Sequence, residues 1–151
     1  MTQIGFYHLT RLALDQALPR LLEKAAAAGL KVVVMAGSQE RVEHLNGLLW
    51  TYSEDSWLPH GARADGEAAL QPIWLTEADE NPNGASVLVL CDGVTPADMS
   101  AWSRCLDLFD GKDDDAVQAA RERWKAWKAD GHELVYYQQT ASGGWEEKAR
   151  T

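Results

Sequence analysis

The chain has 151 residues, 46% of them apolar, and a formal net charge of −9, which suits one domain of ordinary size with a real core. That acidic balance excludes broad nucleic-acid binding by the whole surface, because neutralising phosphates needs a basic footprint. No apolar run approaches the roughly 20 residues of a membrane span, no basic-then-apolar leader opens the sequence, and Cys91 and Cys105 form no C-x-x-C motif, so a cytoplasmic protein with reduced thiols and a buried Cys91 is expected.

Residues 4–9 read as a first strand. A helix follows, with Asp15 as its N-cap, Pro19 in its first turn, Leu18, Leu21, Leu22 and Ala25 at helical spacing, and Gly29 as its stop. The β-branched run at 31–35 predicts a strand covered on both faces. Gly37 then turns the chain, and Ser38 caps a second helix that buries Val42, Leu45, Leu48 and Leu49 and ends near Trp50. Periodicity is lost over 51–70, where Pro59, His60, Gly61 and Gly66 mark a long loop. Strands are predicted at 72–76 and 87–91, separated by the Asn81-Pro82-Asn83-Gly84 turn. Thr95, Pro96 and Asp98 form a helix-start signature. A strand at 106–109 precedes a last helix, which opens on Asp113, Asp114 and Asp115 and runs to about Asp130 before Gly131. A final strand at 134–137 leaves a tail with Gly143 and Gly144. Alternating strands and helices predict an α/β domain over 1–140 with a largely parallel sheet and right-handed crossovers, followed by a flexible C-terminal tail over 141–151.

No catalytic signature stands out. The turn at Gly37-Ser38 superficially resembles a nucleotide-binding strand–turn–helix, so a small nucleotide-binding α/β enzyme is the alternative reading, but both glycine-rich phosphate motifs are missing. His8, His44, His60 and His132 lie far apart and form no metal-ligand pattern, and no serine sits in a nucleophile elbow. Neither a cofactor nor a metal is expected, and the chain reads as a binding module.

Two constellations suit binding. On the last helix, Arg121, Lys125 and Lys128 share one stripe, Ala120 and Trp127 face the core, and Val117 and Trp124 lie on the border between them. A large ring beside cations suits a ligand that is both anionic and apolar, such as an acidic peptide with a hydrophobic end, and Arg121 has the fork for a carboxylate. The same residues also fit a plain solvated flank with Trp124 in the core, since lysine and arginine favour helices and complement the C-terminal dipole. The second constellation is the cluster of Trp50, Tyr52, Trp57, Leu58 and Pro59 at a helix end and loop. It reads either as an exposed protein interface or as a lid folded over the sheet. Stacking of single-stranded DNA on Trp50, Tyr52 and Trp57 is opposed by the neighbouring Glu54 and Asp55.

Three blocks, in order, carry a resemblance: Gly5-Phe6-Tyr7, then Leu49-Trp50 with Ser56-Trp57-Leu58-Pro59-His60, then Ala120-Arg121-Glu122-Arg123-Trp124-Lys125. Together they resemble the chi subunit of DNA polymerase III. The resemblance implies a three-layer, Rossmann-like single domain whose mixed, largely parallel sheet is flanked by helices, with no activity of its own. It implies a non-catalytic clamp-loader accessory that bridges the psi subunit and the acidic C-terminal tail of single-stranded DNA-binding protein during replication. Carried over by position, the tail would meet Arg121, Trp124, Lys125, Lys128, Gly131 and Val117, and psi would meet Trp50, Trp57, Leu58 and Pro59. A repair helicase is a further partner implied for the psi surface. No strong direct nucleic-acid binding, no membrane contact and a monomer are expected. Trp124 stands where the family has a tyrosine and Val117 where it has a lysine, so one cation of the pocket is replaced by an apolar side chain.

Overall fold

The computed structural model describes residues 2–52 and 58–151. Among these, the strands are β1 (Gln3–Leu9), β2 (Val32–Met35), β3 (Gly61–Ala62), β4 (Ile73–Thr76), β5 (Val87–Leu90), β6 (Arg104–Asp110), β7 (Glu133–Gln139) and β8 (Trp145–Arg150). The helices are α1 (Leu14–Ala27), α2 (Gln39–Thr51) and α3 (Asp114–Ala129). The strands form one sheet in the order β3-β4-β2-β5-β6-β1-β7-β8, parallel except for the β7–β8 pair. This is the α/β domain with a largely parallel sheet expected from the alternation of elements, in the three-layer arrangement that the resemblance implies.

Alternation along each strand divides the core into two halves. Tyr7, Val32, Val34, Leu75, Val89 and Leu108 pack with Leu18 and Leu22 of α1 and Leu45 and Leu49 of α2. Ile4, Phe6, Val33, Leu88, Cys105, Phe109 and Leu134 pack with Ala120 and Trp127 of α3 and with Trp102. Both cysteines are buried and unpaired, and burial pushes their thiols well above the ordinary range, which leaves them inert.

Helix ends follow the expected chemistry with two exceptions. Ser38 caps α2 by accepting from the Arg41 N–H at 3.2 Å. Asp113 caps α3 by accepting from the N–H groups of Asp115 and Ala116. Gly131, at φ 88°, closes α3: its N–H reaches the Lys128 carbonyl, and the His132 N–H reaches Trp127. The first exception is α1, which begins at Leu14 with Ala13 as its N-cap. Asp15 is therefore inside the first turn, and Pro19 falls in the second, where it offers no N–H to the Asp15 carbonyl. Two glutamines explain the early start. Gln16 Oε1 accepts from the Ala13 N–H, while Gln139 Oε1 accepts from Thr10, Arg11 and Leu12 at 3.3, 2.9 and 2.9 Å.

The second exception lies after Pro96, where no α-helix forms. Asp98 caps only a 3-10 turn (Met99–Ala101), because the Ala97 N–H is held by Asp79 and Trp102 enters the core just before β6. Too few residues remain for a helix nucleus to be repaid.

The structure also differs from expectation at the C-terminus. Thr140 and Gly144 close a tight turn, with Gly143 at φ 87°, and β8 returns antiparallel on β7. Trp145 packs edge-on against Tyr7 with centroids 5.0 Å apart, and Arg150 bridges Glu133 and Glu147. A pair of glycines reads equally as a frayed tail or as a hairpin turn, and Trp145 is the residue that favours the hairpin.

Candidate protein-interaction site

The faces of β1, β6 and β7 that turn towards α3 carry Phe6, His8, Phe109 and Tyr136. Register brings them side by side, with His8 opposite Phe109 and Phe6 opposite Tyr136. Beside them α3 presents Val117, Ala120, Arg121, Trp124 and Lys125, and Ala149 of β8 forms the far wall. Together these residues line a cavity of about 400 Å³.

Its rings pack against one another. Phe6 meets Trp124 edge-on at 5.3 Å and Trp127 at 5.6 Å, which fixes the indole of Trp124 as a half-buried wall. Trp127 and Ala120 are buried, and Val117 and Trp124 lie on the border of the helix as its spacing predicts. At the rim, Arg121 is exposed and makes no ion pair with any described residue. Lys125 makes only a solvent-exposed pair with Glu122 at 3.6 Å, an interaction of small worth. Apolar walls with available cations at the edge can hold a group that is greasy at its end and anionic beside it.

Of the residues carried over by resemblance for tail binding, Val117, Arg121, Trp124 and Lys125 line this one cavity. Lys128 is exposed on the last turn of α3 and does not line it, and Gly131 serves the helix terminus. Phe6, His8, Phe109, Tyr136 and Ala149 were not read as site residues from the sequence. The signal was their alternation on strands, but only the sheet order brings residues so distant in the chain to one wall.

The second constellation is divided by burial. Trp50 is 52% exposed and lies over the His60 ring with centroids 4.5 Å apart. Leu58 is buried in the core, and Pro59 is half-buried. His60 is itself buried, donating through Nδ1 to the Leu58 carbonyl at 2.7 Å and approaching the Asn46 carbonyl through Nε2 at 3.2 Å. His60 thus ties residues 58–60 to α2, and Trp50 of that helix leaves its ring exposed beside it. Trp57 lies outside the described residues.

A larger crevice, about 830 Å³, opens at the carboxyl ends of β1 and β6, where α1 and α3 begin. Open α/β sheets hold phosphates at such points through free N–H groups. Here several of those donors are already engaged. Gln139 takes the three before α1, and the Asp113 side chain takes two in the first turn of α3. At the neighbouring turn after β2, the Asp92 carboxylate accepts from the Gly37 N–H at 3.0 Å and pairs with Arg41 at 3.2 Å. A phosphate at Gly37 would meet that carboxylate. Deeper in, Arg123 forks onto Asp107 at 2.7 and 3.0 Å. Burial raises the Asp107 carboxyl above its usual range, although the guanidinium pulls it down.

Comparison with known proteins adds the identity of the family. The family model of the DNA polymerase III chi subunit, HolC, matches residues 1–135. The chain is 38% identical over 100 residues to a probable DNA polymerase III subunit chi of Rickettsia prowazekii, a match covering 66% of this chain and 59% of that protein. It is 27% identical over 139 residues to the DNA polymerase III subunit chi of Pseudomonas aeruginosa, covering 89% of this chain and 94% of the relative. With the corresponding subunit of Escherichia coli it shares 22% over 123 residues, covering 81% and 83%. The chain thus spans less than two thirds of the Rickettsia protein but most of the other two. Strand β8 and its Ala149 wall lie beyond the residues that the family model matches. With that model matched from the first strand into β7, the chain belongs to the DNA polymerase III chi subunit family.

Proposed function

We propose that this chain is a non-catalytic accessory subunit of the DNA polymerase III clamp-loader assembly, acting in the cytoplasm, and that it holds the acidic C-terminal tail of single-stranded DNA-binding protein in the α3 cavity. The observation that carries this reading is the pairing of an apolar cavity with rim cations in an acidic chain. The tail's terminal ring packs among Trp124, Phe6 and Tyr136. Its carboxylates meet Arg121 and Lys125, and Lys128 lies one turn further along to meet acidic residues upstream. Val117 adds apolar wall where a cation is expected, which shifts the contact from charge towards packing.

The psi subunit docks on the surface marked by Trp50 and Pro59, with Leu58 and His60 fixing the loop from below and Trp57 adjoining in sequence. A repair helicase is a second occupant of that surface. What supports this part is the exposure of the Trp50 ring beside the buried His60, since large rings are favoured interface anchors. A nucleotide-dependent activity at Gly37-Ser38 is not favoured, because Asp92 already occupies the N–H that a phosphate would use.

The test is a polarisation titration of a labelled peptide copying the tail of single-stranded DNA-binding protein. Micromolar binding is expected, weakening several-fold between about 50 and 300 mM salt because the rim contacts are exposed and screened. Absence of binding at low salt, by protein shown to be folded, would remove the tail contact from the account.

A further inference from the structure

His8 stands on the floor of the α3 cavity, and the peptide contacts set out above do not use it. It projects from β1 between the rings of Phe109 and Tyr136, with centroids at 5.0 and 5.8 Å. Its Nδ1 lies 2.5 Å from the Tyr136 hydroxyl. The far edge of the ring rests on Gly111, where a Cβ would come within 2.1 Å of Nε2, so the seat is made for glycine. The Gly111 backbone beside Nε2 favours the charged imidazole. With the neutral ring protonated at Nε2, Nδ1 accepts from the Tyr136 O–H.

We infer that His8 is itself a ligand-binding residue of this cavity, taking up a proton together with an anionic peptide end and turning the Tyr136 hydroxyl towards that anion. The inference rests on the peptide-binding reading of the cavity. In the empty cavity the Tyr136 proton is spent on His8 Nδ1. When His8 takes a proton from solvent, Nδ1–H donates to the Tyr136 oxygen, and the phenol proton is free to donate into the cavity. One proton taken up thus supplies one cation and one hydrogen-bond donor where a carboxylate arrives.

The charged groups around His8 set the sign. Burial holds its pKa below the ordinary imidazole value. The Gly111 backbone opposes burial, Arg121 of α3 adds to it by like-charge repulsion, and Asp110 after β6 opposes it. Tyr136 of β7 and Lys125 of α3 complete the surroundings, and β8 contributes only Ala149. A bound carboxylate cancels the repulsion from Arg121 and favours imidazolium. Binding therefore takes up a proton, and affinity rises as pH falls through the window between the free and bound values. Above that window it is flat. Peptide carboxylates titrate only below about pH 5.

The same labelled tail peptide is titrated from about pH 8 to 5.5 at fixed ionic strength, into the natural protein and into His8→Asn, with the His8 ring resonance followed in free and saturated protein. We expect the natural protein to bind roughly three- to tenfold more tightly at the acid end. We expect His8→Asn, shown folded by its melting curve, to bind with a flat profile, and the His8 midpoint to move up on saturation. Tight but pH-independent binding by the natural protein would overturn the inference and leave the peptide reading standing. A pH dependence that survives in His8→Asn would also overturn it, by placing the proton elsewhere. No binding at any pH would sink the peptide reading itself. If His8→Asn does not fold, the resonance of the natural protein decides alone: an unmoved His8 midpoint on saturation overturns the inference.

Discussion

Replacing Arg123 by alanine is expected to destabilise the fold by about 3–5 kcal/mol, the cost of leaving a buried charge without its partner. Asp107 is 1% exposed, on a central strand, and its carboxylate is satisfied by the Arg123 fork. Without the guanidinium, the carboxylate must stay buried and unpaired or take a proton. Total stabilities of such domains are about 5–15 kcal/mol, so the loss should be plain in denaturant midpoints. The deficit should also depend on pH. The folded-state pKa of Asp107 is already raised by burial, so its contribution is present at low pH and is lost as pH rises through that value. Losing Arg123 removes the group that lowers it. The variant should therefore be closest to the natural protein in mild acid and furthest from it at alkaline pH. Replacing both partners by apolar residues of similar volume should restore most of the loss. If Arg123→Ala unfolds at the same denaturant concentration as the natural protein, the pair carries no net burden and this account of the second core half fails. Arg123 lies between Glu122 and Trp124 in the block that carries the family resemblance, yet its role here is to neutralise a core carboxylate.

Its neighbour Arg121 is expected to behave in the opposite way. Arg121→Ala should leave stability within about 0.5 kcal/mol, as for an exposed side chain with no special contact. It should weaken tail-peptide binding by about 2 kcal/mol, roughly thirtyfold, the worth of a hydrogen bond to a charged group. Arg121→Lys should recover only part of this, because an ammonium lacks the planar fork. Polarisation titrations of the natural protein and both variants at one salt concentration decide the matter. Equal affinity for Arg121→Ala would move the anion site away from the α3 rim. The contrast with Arg123 is a matter of helix geometry, since residues two apart point to different sides of α3.

Much of this was legible in the sequence because the signals are local. The apolar runs at β2 and β5, the Ser38 cap, the acidic start of α3 and the Gly131 stop each depend on residues within one turn. The border position of Trp124 follows from helical spacing alone. What was not legible depends on distant partners. The α1 start is set by Gln139, which arrives from β7 more than a hundred residues later. The helix signature at Thr95 and Pro96 is locally sound but is overruled by Asp79 and by the insertion of Trp102. The floor of the cavity is built from β1, β6 and β7, whose adjacency no local pattern reveals. Leu58 and His60 look alike from the sequence as parts of an aromatic loop, and only the fold shows that they anchor it while Trp50 is left outside.

In the proposed function the cavity beside α3 receives an acidic peptide end. The most direct test of this is a map of backbone and side-chain resonances during titration with the tail peptide. We predict that the largest shifts fall on Phe6, His8, Arg121, Trp124 and Tyr136, with Trp50 and the turn at Gly37 undisturbed. Shifts gathered around Trp50 and His60, or in the crevice at the ends of β1 and β6, would contradict it.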